Sequence, residues 1–261
     1  MTNHFLLNIR TRLGLLRSLA IYYGKPFNRR RLKQFYASFV KTGDLCFDLG
    51  AHLGNRSDAF LRLGATVIAV EPQPSCTQFL RFWFGKNARF TLVEQAVGAK
   101  AGTLPLHISS LTPTVTTLAD QDWQQIIDED TSFKVRWDQT LQVPITTLDA
   151  LIATYGLPDF TKFDIENYEW EALQGLSQAL PCLSFEYYPA TISRAVDCIH
   201  YLDQLGDYEW NWSFGESQQL NEREWLATKA IVVELQQIER GGLYGDVYGR
   251  VREGGEQVGS S

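Results

Sequence analysis

A glycine-containing turn, with an acidic residue before it, follows the first predicted strand. The segment FDLGAHLGN, residues 47–55, places Gly50 and Gly54 where the backbone can turn tightly and a ligand can approach the next helix N-terminus. A dinucleotide motif would need a glycine at position 52, which is His52 here. Asp48 would repel a pyrophosphate but suits a cofactor with a cationic amine. The turn therefore indicates a nucleotide-like cofactor that is not a dinucleotide.

A second acidic residue ends the next predicted strand. In VIAVEP, residues 67–72, Glu71 lies 23 residues after Asp48. An acidic side chain at this place can accept hydrogen bonds from both hydroxyls of a ribose. Each motif is weak by itself, but together, in strand-helix-strand order, they predict a ribose-bearing cofactor.

Three further acids follow the fourth and fifth predicted strands. Asp164 and Glu166 stand at the carboxyl end of the fourth strand, where the ligands of open α/β sheets bind. Residues two apart in a strand point to the same side, so both carboxylates can face one cleft. Glu186 ends the fifth strand in SFEYYP and can bring a third carboxylate. Such clustering raises at least one pKa, which makes a general base usable near neutral pH.

Other roles compete with these assignments. Glu166 can instead stabilise the N-terminus of a helix that begins near Tyr168, and Glu186 can pair with an arginine. A divalent cation on the three acids is conceivable, because hard cations prefer oxygen ligands. Nothing in the spacing demands one, and we expect no metal. Weaker candidates, as bases or as an aromatic platform for the acceptor, are His52, His107, Trp123 and Trp137.

From residue 43 onward, short apolar strands alternate with helical segments, a pattern typical of a parallel sheet covered on both faces. The predicted strands are Leu45–Asp48, Thr66–Glu71, Phe90–Gln95, Thr161–Ile165, Leu183–Glu186, Tyr208–Phe214 and Leu243–Val251. The predicted helices are Arg56–Leu63, Cys76–Phe84, Leu148–Tyr155, Glu169–Leu176, Thr191–Leu205 and Asn221–Ile238. This order predicts a doubly wound α/β fold.

Four segments resemble the FkbM family of class I S-adenosylmethionine-dependent methyltransferases. They are FDLGAHLGN (47–55), VIAVEPQP (67–74), LVEQAVG (92–98) and TTLDALIATYGLPDFTKFDIENYEWEALQGL (146–176), and YGDVYGR (244–250) also looks like family members. The resemblance implies a mostly parallel, seven-stranded Rossmann-like sheet whose last strand is antiparallel. One departure is Asn167, where the family usually has glycine. Asparagine tolerates left-handed backbone angles better than most residues, so the turn can be kept.

The resemblance also implies the chemistry. S-adenosylmethionine is the expected cofactor, and the expected methyl acceptor is a hydroxyl of a sugar, a glycolipid or a secondary metabolite. Glu71 is expected to bind the ribose, Gln95–Ala96 to border the adenine, and Asp164 to serve the acceptor side or orient the methionine amine. The expected cofactor-binding residues are Asp48, Gly50, Ala51, Gly54, Asn55, Glu71, Pro72, Gln95, Ala96 and Asp164. The expected catalytic residues are Asp164, Glu166 and Glu186.

Charge is distributed unevenly along the chain. Residues 1–41 contain nine Lys or Arg and no acid, a charge of +9, whereas the rest holds 15 basic and 30 acidic residues, a charge of −15. The net charge of the whole chain is −6. Leucines alternate with the basic residues at helical spacing, so residues 1–40 are predicted to form a basic helical extension. It either docks as a cap on the acidic body, or the run Arg29–Arg31 holds an anionic membrane or substrate. No nucleic-acid partner is expected, because the body is acidic and shows no known binding module.

Composition and length limit the remaining possibilities. The chain has 261 residues, of which 44% are hydrophobic and 21% charged. This composition excludes low-complexity disorder, collagen and coiled coil. No apolar run approaches the roughly 18–20 residues of a spanning helix, and arginines within the first apolar stretch argue against a signal peptide. Four scattered cysteines favour neither a disulfide framework nor a zinc site, and the expected location is the cytoplasm.

The expected division is a methyltransferase domain over 41–251, with a polar insertion at 109–142 and a disordered tail at 252–261. The sequence does not indicate an oligomeric state. Two other classes of function stay open at this point. One is a catalytically silent cofactor-binding or scaffold protein, which Asn167 motivates, and the other is a nucleotide-dependent oxidoreductase.

Overall fold

The structure is a computed structural model that describes residues 13–14, 16–19, 24, 27–109, 116–118, 137–238 and 242–252. Its strands are β1 (Leu45–Leu49), β2 (Thr66–Val70), β3 (Phe90–Val93), β4 (Ala96–Val97), β5 (Gly102–Ile108), β6 (Gln139–Thr146), β7 (Phe160–Phe163), β8 (Cys182–Tyr187), β9 (Tyr208–Phe214) and β10 (Gly245–Val251). Its helices include α1 (Asn28–Tyr36), α2 (Asn55–Leu63), α3 (Pro74–Phe84), α4 (Leu148–Tyr155), α5 (Glu169–Leu173), α6 (Ile192–Leu205) and α7 (Thr228–Gln236). Within these described ranges, no helix has the length and apolar character needed to cross a membrane.

Seven strands form the central sheet in the order β3-β2-β1-β7-β8-β10-β9. Strands β3, β2, β1, β7 and β8 pair in parallel, and β10 pairs antiparallel with both β8 and β9. The predicted doubly wound sheet of seven strands, with an antiparallel last strand, is confirmed. Strand order reverses at β1, which has β2 on one side and β7 on the other. Open α/β sheets bind their ligands at such a switch point, beyond the carboxyl ends of the strands.

Alternate residues of the strands face opposite sides of the sheet, and both sides are buried. On β1, Phe47 and Leu49 belong to one hydrophobic cluster, whereas Cys46 belongs to the other. The same alternation divides Phe160 from Phe163 on β7. Helices α4, α5, α6 and α7 contribute to the first cluster and α1, α2 and α3 to the second. Burial on two faces explains why these strands read as short, nearly continuous apolar runs.

Helix α1, in the basic N-terminal segment, packs on the body of the fold. The ring of Tyr36 lies 4.9 Å from that of Phe60 and 5.8 Å from that of Phe160. Arg29 donates from Nη2 and Nε to the two carboxylate oxygens of Asp58, at 2.7 and 3.0 Å. The division of the chain at residue 40 stays a prediction, since residues 1–12, 15, 20–23 and 25–26 lie outside the described residues.

A second sheet of three strands, in the order β4-β6-β5, was not among the predicted strands. Strand β4 has only two residues, and β6 begins inside the polar segment 109–142, so neither gives a clear apolar signal. Residues 110–115 and 119–136, which include Trp123, lie outside the described residues, as does the tail from residue 253. The predicted insertion and disordered tail therefore stay predictions.

Several element ends differ from the predicted ones. The helix predicted over Asn221–Ile238 is confined to α7, because Leu226 forms a bridge to Trp210 on β9 through two backbone hydrogen bonds of 2.7 and 2.8 Å. The helix predicted to end at Leu176 ends at Leu173. Strand β3 stops two residues before Gln95, and β7 two residues before Ile165, so the predicted site residues at these ends lie in the connections that follow.

Candidate functional site

Gly50 stands where the end of β1 meets the chain beyond β7. Its φ is +76°, a left-handed angle that glycine adopts without penalty. A Cβ at this position would come within 1.9 Å of the carbonyl oxygen of Asp164. Gly54 has a similar angle, but a Cβ there would meet Phe84 and Leu80 of α3. The first glycine thus brings two predicted site segments together, and the second lets α2 and α3 pack closely.

Glu71 lies just beyond β2 and is held by the backbone of two neighbouring segments. Its Oε2 accepts a hydrogen bond from the amide of His52, and its Oε1 accepts one from the amide of Gln73, both at 2.8 Å. Burial raises the pKa of Glu71 to about 7, against the lowering effect of these two bonds. The carboxyl group is therefore fixed in orientation and titrates close to neutral pH.

A cleft with about 560 Å³ of empty volume opens beyond the carboxyl ends of β1, β2 and β7. Seven of the predicted site residues line it, namely Gly50, Glu71, Pro72, Gln95, Ala96, Asp164 and Glu166. The cleft wall also contains Tyr168 and Thr117, and Thr117 donates its hydroxyl to the carbonyl oxygen of Glu166 at 2.7 Å. Residues predicted to bind the cofactor and residues predicted to act on the acceptor therefore line the same cleft.

Four of the predicted cofactor-binding residues, Asp48, Ala51, Gly54 and Asn55, are not among the described residues that line this cleft. Asp48 is fully buried, and its Oδ2 accepts a 2.5 Å hydrogen bond from the Ser57 hydroxyl of α2. Burial raises the pKa of Asp48 to about 6. Asp48 thus ties the end of β1 to the first turn of α2.

The structure brings the three candidate catalytic acids together. One carboxylate oxygen from each of Asp164, Glu166 and Glu186 lies within 4.8 Å of the other two. Tyr188 contacts two of them, with its hydroxyl oxygen 3.0 Å from Oε2 of Glu166 and 2.7 Å from Oε2 of Glu186. Burial, and next the charge of Asp164, raises the pKa of both glutamates well above the ordinary value. This cluster therefore has groups able to accept a proton near neutral pH.

Two cations that the sequence analysis missed lie beside this cluster. Arg56, at the start of α2, is buried, and its Nη2 lies 3.7 Å from Asp164 and 3.2 Å from Glu216. Lys162 is buried in β7 and donates from Nζ to Asp246 on β10 at 2.6 Å. Burial works against its charge, but Asp246 and then Asp164 raise the pKa of Lys162 above its ordinary value.

A sequence signal existed for Tyr188 and Lys162. Tyr188 follows Glu186 by two residues in SFEYYP, the spacing that places side chains on one side of an extended chain. Lys162 is a charged residue between Thr161 and Phe163 in a predicted strand of the central sheet, and buried cations almost always have a partner. Arg56 gave no such signal, because an arginine in the first turn of a helix is ordinarily exposed.

The alternative roles of the two glutamates find no support in the described residues. No side chain caps the N-terminus of α5 there, and the described contacts of Glu166 are with Tyr188 and Thr117. Within the same ranges, no arginine forms an ion pair with Glu186.

Asn167 keeps the left-handed turn, as predicted. Its φ is 66°, and that of Glu166 before it is 55°. The side-chain oxygen of Asn167 accepts a hydrogen bond from the Thr191 hydroxyl at 3.0 Å, and its carbonyl accepts one from Arg194 at 3.1 Å. Hydrogen bonds to both its side chain and its backbone hold this non-glycine residue in place.

Of the weaker candidates, His52 lies at the cleft, whereas His107 and Trp137 lie together elsewhere. His52 lines the cleft, but burial lowers its pKa to about 4, so it is neutral near pH 7 and a poor base there. His107 lies on β5 of the second sheet, with its ring 5.5 Å from that of Trp137. Neither His107 nor Trp137 lines the cleft in the described part of the chain.

Comparison with known proteins gives a consistent assignment. A family described as the methyltransferase FkbM domain matches residues 48–206, and no curated protein matches the sequence. The chain is similar to precorrin-6y C5,15-methyltransferase from Geobacter metallireducens GS-15, with 11% identity over 87% of this chain and 89% of that one and a TM-score of 0.45. It is also similar to an O-methyltransferase from Bacillus cereus in complex with SAH, with 10% identity over 94% of this chain and 90% of that one and a TM-score of 0.42. A third similar structure is cofactor-bound Rv0187 from MTB, with 12% identity over 92% of this chain and 90% of that one and a TM-score of 0.43. All three TM-scores are below 0.5, so the family match alone shows the family.

Proposed function

The chain belongs to the FkbM methyltransferase family, and on that premise we propose that it transfers the methyl group of S-adenosylmethionine to a hydroxyl oxygen. The chain is an S-adenosylmethionine-dependent methyltransferase that acts on a small-molecule acceptor. One observation supports oxygen as the methyl acceptor: the glutamate suited to a ribose and the three clustered acids border the same cleft or lie beside it. A hydroxyl needs a base when it attacks a methyl group, and the cluster supplies one.

Glu71 is the proposed ribose ligand. Each of its carboxylate oxygens takes one backbone hydrogen bond, which leaves each with further capacity to accept from a ribose hydroxyl. Gln95 and Ala96 line the same cleft and are the proposed border of the adenine. The proposed contribution of the buried Asp48, with Ala51, Gly54 and Asn55, is to shape the turn that supports these contacts.

The proposed acceptor side is the acid cluster. S-adenosylmethionine supplies an electrophilic methyl group, and the residues of this chain hold the acceptor oxygen and receive its proton. Asp164 adjoins Gly50 and lies near the Arg56 guanidinium, so we assign it to orienting the methionine amine or the acceptor. Glu166 and Glu186 complete the group that can take up a proton.

The proposed acceptor is a neutral hydroxyl compound, such as a sugar, a glycolipid or a secondary metabolite. Three carboxyl groups within 4.8 Å of one another disfavour an anionic acceptor and suit a polyol that donates hydrogen bonds.

A membrane-bound acceptor agrees with the surface of the N-terminal segment. In the helical residues 13–14 and 16–19, Leu13 and Leu16 are 54% and 61% exposed, whereas Gly14 and Ser18 are buried. Phe27, just before α1, is 75% exposed and lies two residues before the run Arg29–Arg31. Apolar residues directed outward beside cations favour contact with an anionic lipid surface.

Methyl transfer from isotope-labelled S-adenosylmethionine to a panel of sugars, glycolipids and phenols tests the proposal. We expect label in a neutral hydroxyl compound, and Asp164→Asn should reduce this transfer to background while the protein stays folded. Binding of S-adenosylhomocysteine without transfer to any acceptor would favour the silent scaffold instead, and binding of NAD alone would favour an oxidoreductase. Full transfer by Asp164→Asn would remove Asp164 from the mechanism.

A further inference from the structure

Tyr188 lies between two carboxyl groups but has a single proton to donate. Its oxygen is within hydrogen-bond distance of both Glu166 and Glu186. An ionised carboxylate is only an acceptor, whereas a protonated one is also a donor. If both glutamates were ionised, one contact would set a phenol lone pair against a carboxylate oxygen. Both contacts can be hydrogen bonds when at least one of the two glutamates carries a proton.

The two glutamates differ in what they face. Glu166 lines the large cleft, next to Asp164. Glu186 instead lines a separate, small pocket, together with Tyr188, Trp170, Arg194 and Cys198. A base must reach the acceptor hydroxyl, and only the glutamate on the cleft side is placed to do so.

We propose that Tyr188 is a positioning residue that keeps Glu186 protonated and Glu166 ionised, so that Glu166 is the base of the reaction. Glu186 donates to the Tyr188 oxygen, and Tyr188 donates to Glu166. This inference rests on the proposed methyl transfer to a hydroxyl for its role in catalysis, but its arrangement of protons is a property of the folded chain alone.

The proton balance of the step is simple. The acceptor oxygen forms a bond to the methyl carbon as the carbon–sulfur bond breaks, and that electron pair stays on sulfur. The hydroxyl proton passes to the Glu166 carboxylate, while Glu186 keeps its own proton. The glutamate pair thus changes its charge from −1 to 0 and later returns the proton to solvent.

The surrounding charges act on both glutamates in the same directions. After burial, Asp164 is the largest charge that raises the pKa of both glutamates, and Lys162 opposes it. The titratable or charged groups that face the pair from other elements are Lys162 and Asp164 of β7 and its end, Glu169 of α5, Asp246 of β10, Arg56 of α2, Glu216 after β9, and Tyr244 before β10. The acids disfavour a second negative charge, and the cations favour the first.

Carboxyl ¹³C NMR of the full chain labelled in glutamate tests the proton arrangement without an acceptor or cofactor. Glu166→Gln and Glu186→Gln assign the two resonances. We expect two separated ionisations, with Glu166 first. In Tyr188→Phe the ionisation of Glu166 should move up by about 1–2 pH units, because the anion loses a hydrogen-bond donor. The Tyr201 hydroxyl donates to the backbone carbonyl of Leu176 at 2.8 Å, so Tyr201→Phe is the matched control and should leave both ionisations in place.

Several outcomes would overturn the inference. Both glutamates could ionise together near the ordinary value of about 4.3, or Glu186 could ionise first. Tyr188→Phe could lower stability and leave both titrations unchanged, which would reveal a merely structural role. Glu186→Gln mimics the protonated partner, so Glu166 should ionise there as in its wild-type step. If Tyr188→Phe does not fold, the wild-type and glutamine titrations still decide. A protein that passes these tests but binds no S-adenosylhomocysteine would refute the proposed function and not the proton arrangement.

Discussion

Glu71 illustrates how a single buried carboxylate can serve both the fold and a ligand. Its two backbone hydrogen bonds join the turn after β1 to the turn after β2. The same geometry directs it toward the cleft, where a ribose would provide the remaining donors. The contribution of Glu71 to folding stability and its contribution to ligand binding therefore have to be measured separately.

Replacement of Glu71 by alanine should weaken S-adenosylhomocysteine binding by an order of magnitude or more, because charge-assisted hydrogen bonds worth about 1.5–3 kcal/mol are lost. It should also lower the free energy of unfolding by about 1–3 kcal/mol, since two amide groups lose their acceptor. Calorimetry and urea unfolding measure the two effects. Glu94→Ala, at a largely exposed position paired with Arg81, is the control and should leave both unchanged. Unchanged affinity in Glu71→Ala would refute the ribose assignment.

The raised pKa of Glu71 predicts two opposite pH dependences. The folded chain keeps a proton that the unfolded chain releases between about pH 4.5 and 7, so the contribution of Glu71 to stability decreases as pH rises through this window. Cofactor binding favours the ionised form, so the affinity for S-adenosylhomocysteine should rise several-fold from about pH 6 to 8. Glu71→Gln should remove this dependence. If the affinity of Glu71→Gln for S-adenosylhomocysteine rises equally with pH, another titrating group is responsible for the pH dependence.

At the scale of an element, the turn after β7 depends on the residue at position 167. Asn167→Gly should keep the fold within about 1 kcal/mol, since glycine accepts the left-handed angle while the hydrogen bond to Thr191 is lost. Asn167→Val should cost about 1–3 kcal/mol, because a β-branched residue is strained at that φ. Thermal unfolding of both variants measures this. Equal stability of the two would show that backbone angle does not govern the turn.

The Lys162–Asp246 pair joins two strands that do not neighbour each other. Lys162 pairs in register with Ser184 on β8, and its amine reaches past that strand to Asp246 on β10. Lys162→Met leaves the Asp246 carboxylate, whose side chain is only 14% exposed, without its cation, so we expect a loss of about 3–5 kcal/mol in the free energy of unfolding. The double variant with Asp246→Asn should recover part of it. Arg252→Met, which breaks an exposed pair with Asp207, should cost at most about 1 kcal/mol.

At the scale of the whole molecule, the basic N-terminal segment is opposed to an acidic body. The charge asymmetry and the exposed leucines predict that the full chain sediments with phosphatidylserine-containing vesicles and not with pure phosphatidylcholine. Leu13→Ser with Leu16→Ser should reduce this binding several-fold, and added salt should weaken it. Leu157→Ser is the control, because Leu157 is 42% exposed in the connection before β7 and lies outside the basic N-terminal segment. Equal binding to both vesicle types would refute the anionic membrane surface.

Local sequence patterns were enough to predict the doubly wound sheet and the places of Asp48 and Glu71 at strand ends, whereas the left-handed turn at Asn167 was predicted from the family resemblance. The sheet and the two strand-end positions follow from local patterns, since hydrophobic runs, glycines and strand-end acids are adjacent in the chain. Which acids lie close together depends on the packing of distant segments. Tyr188, Arg56 and Lys162 join the acid cluster through contacts between segments far apart in the chain, and Asp48 turns to Ser57 instead of lining the cleft. Burial also sets the pKa values of these groups, and burial is a property of packing that strand periodicity does not specify.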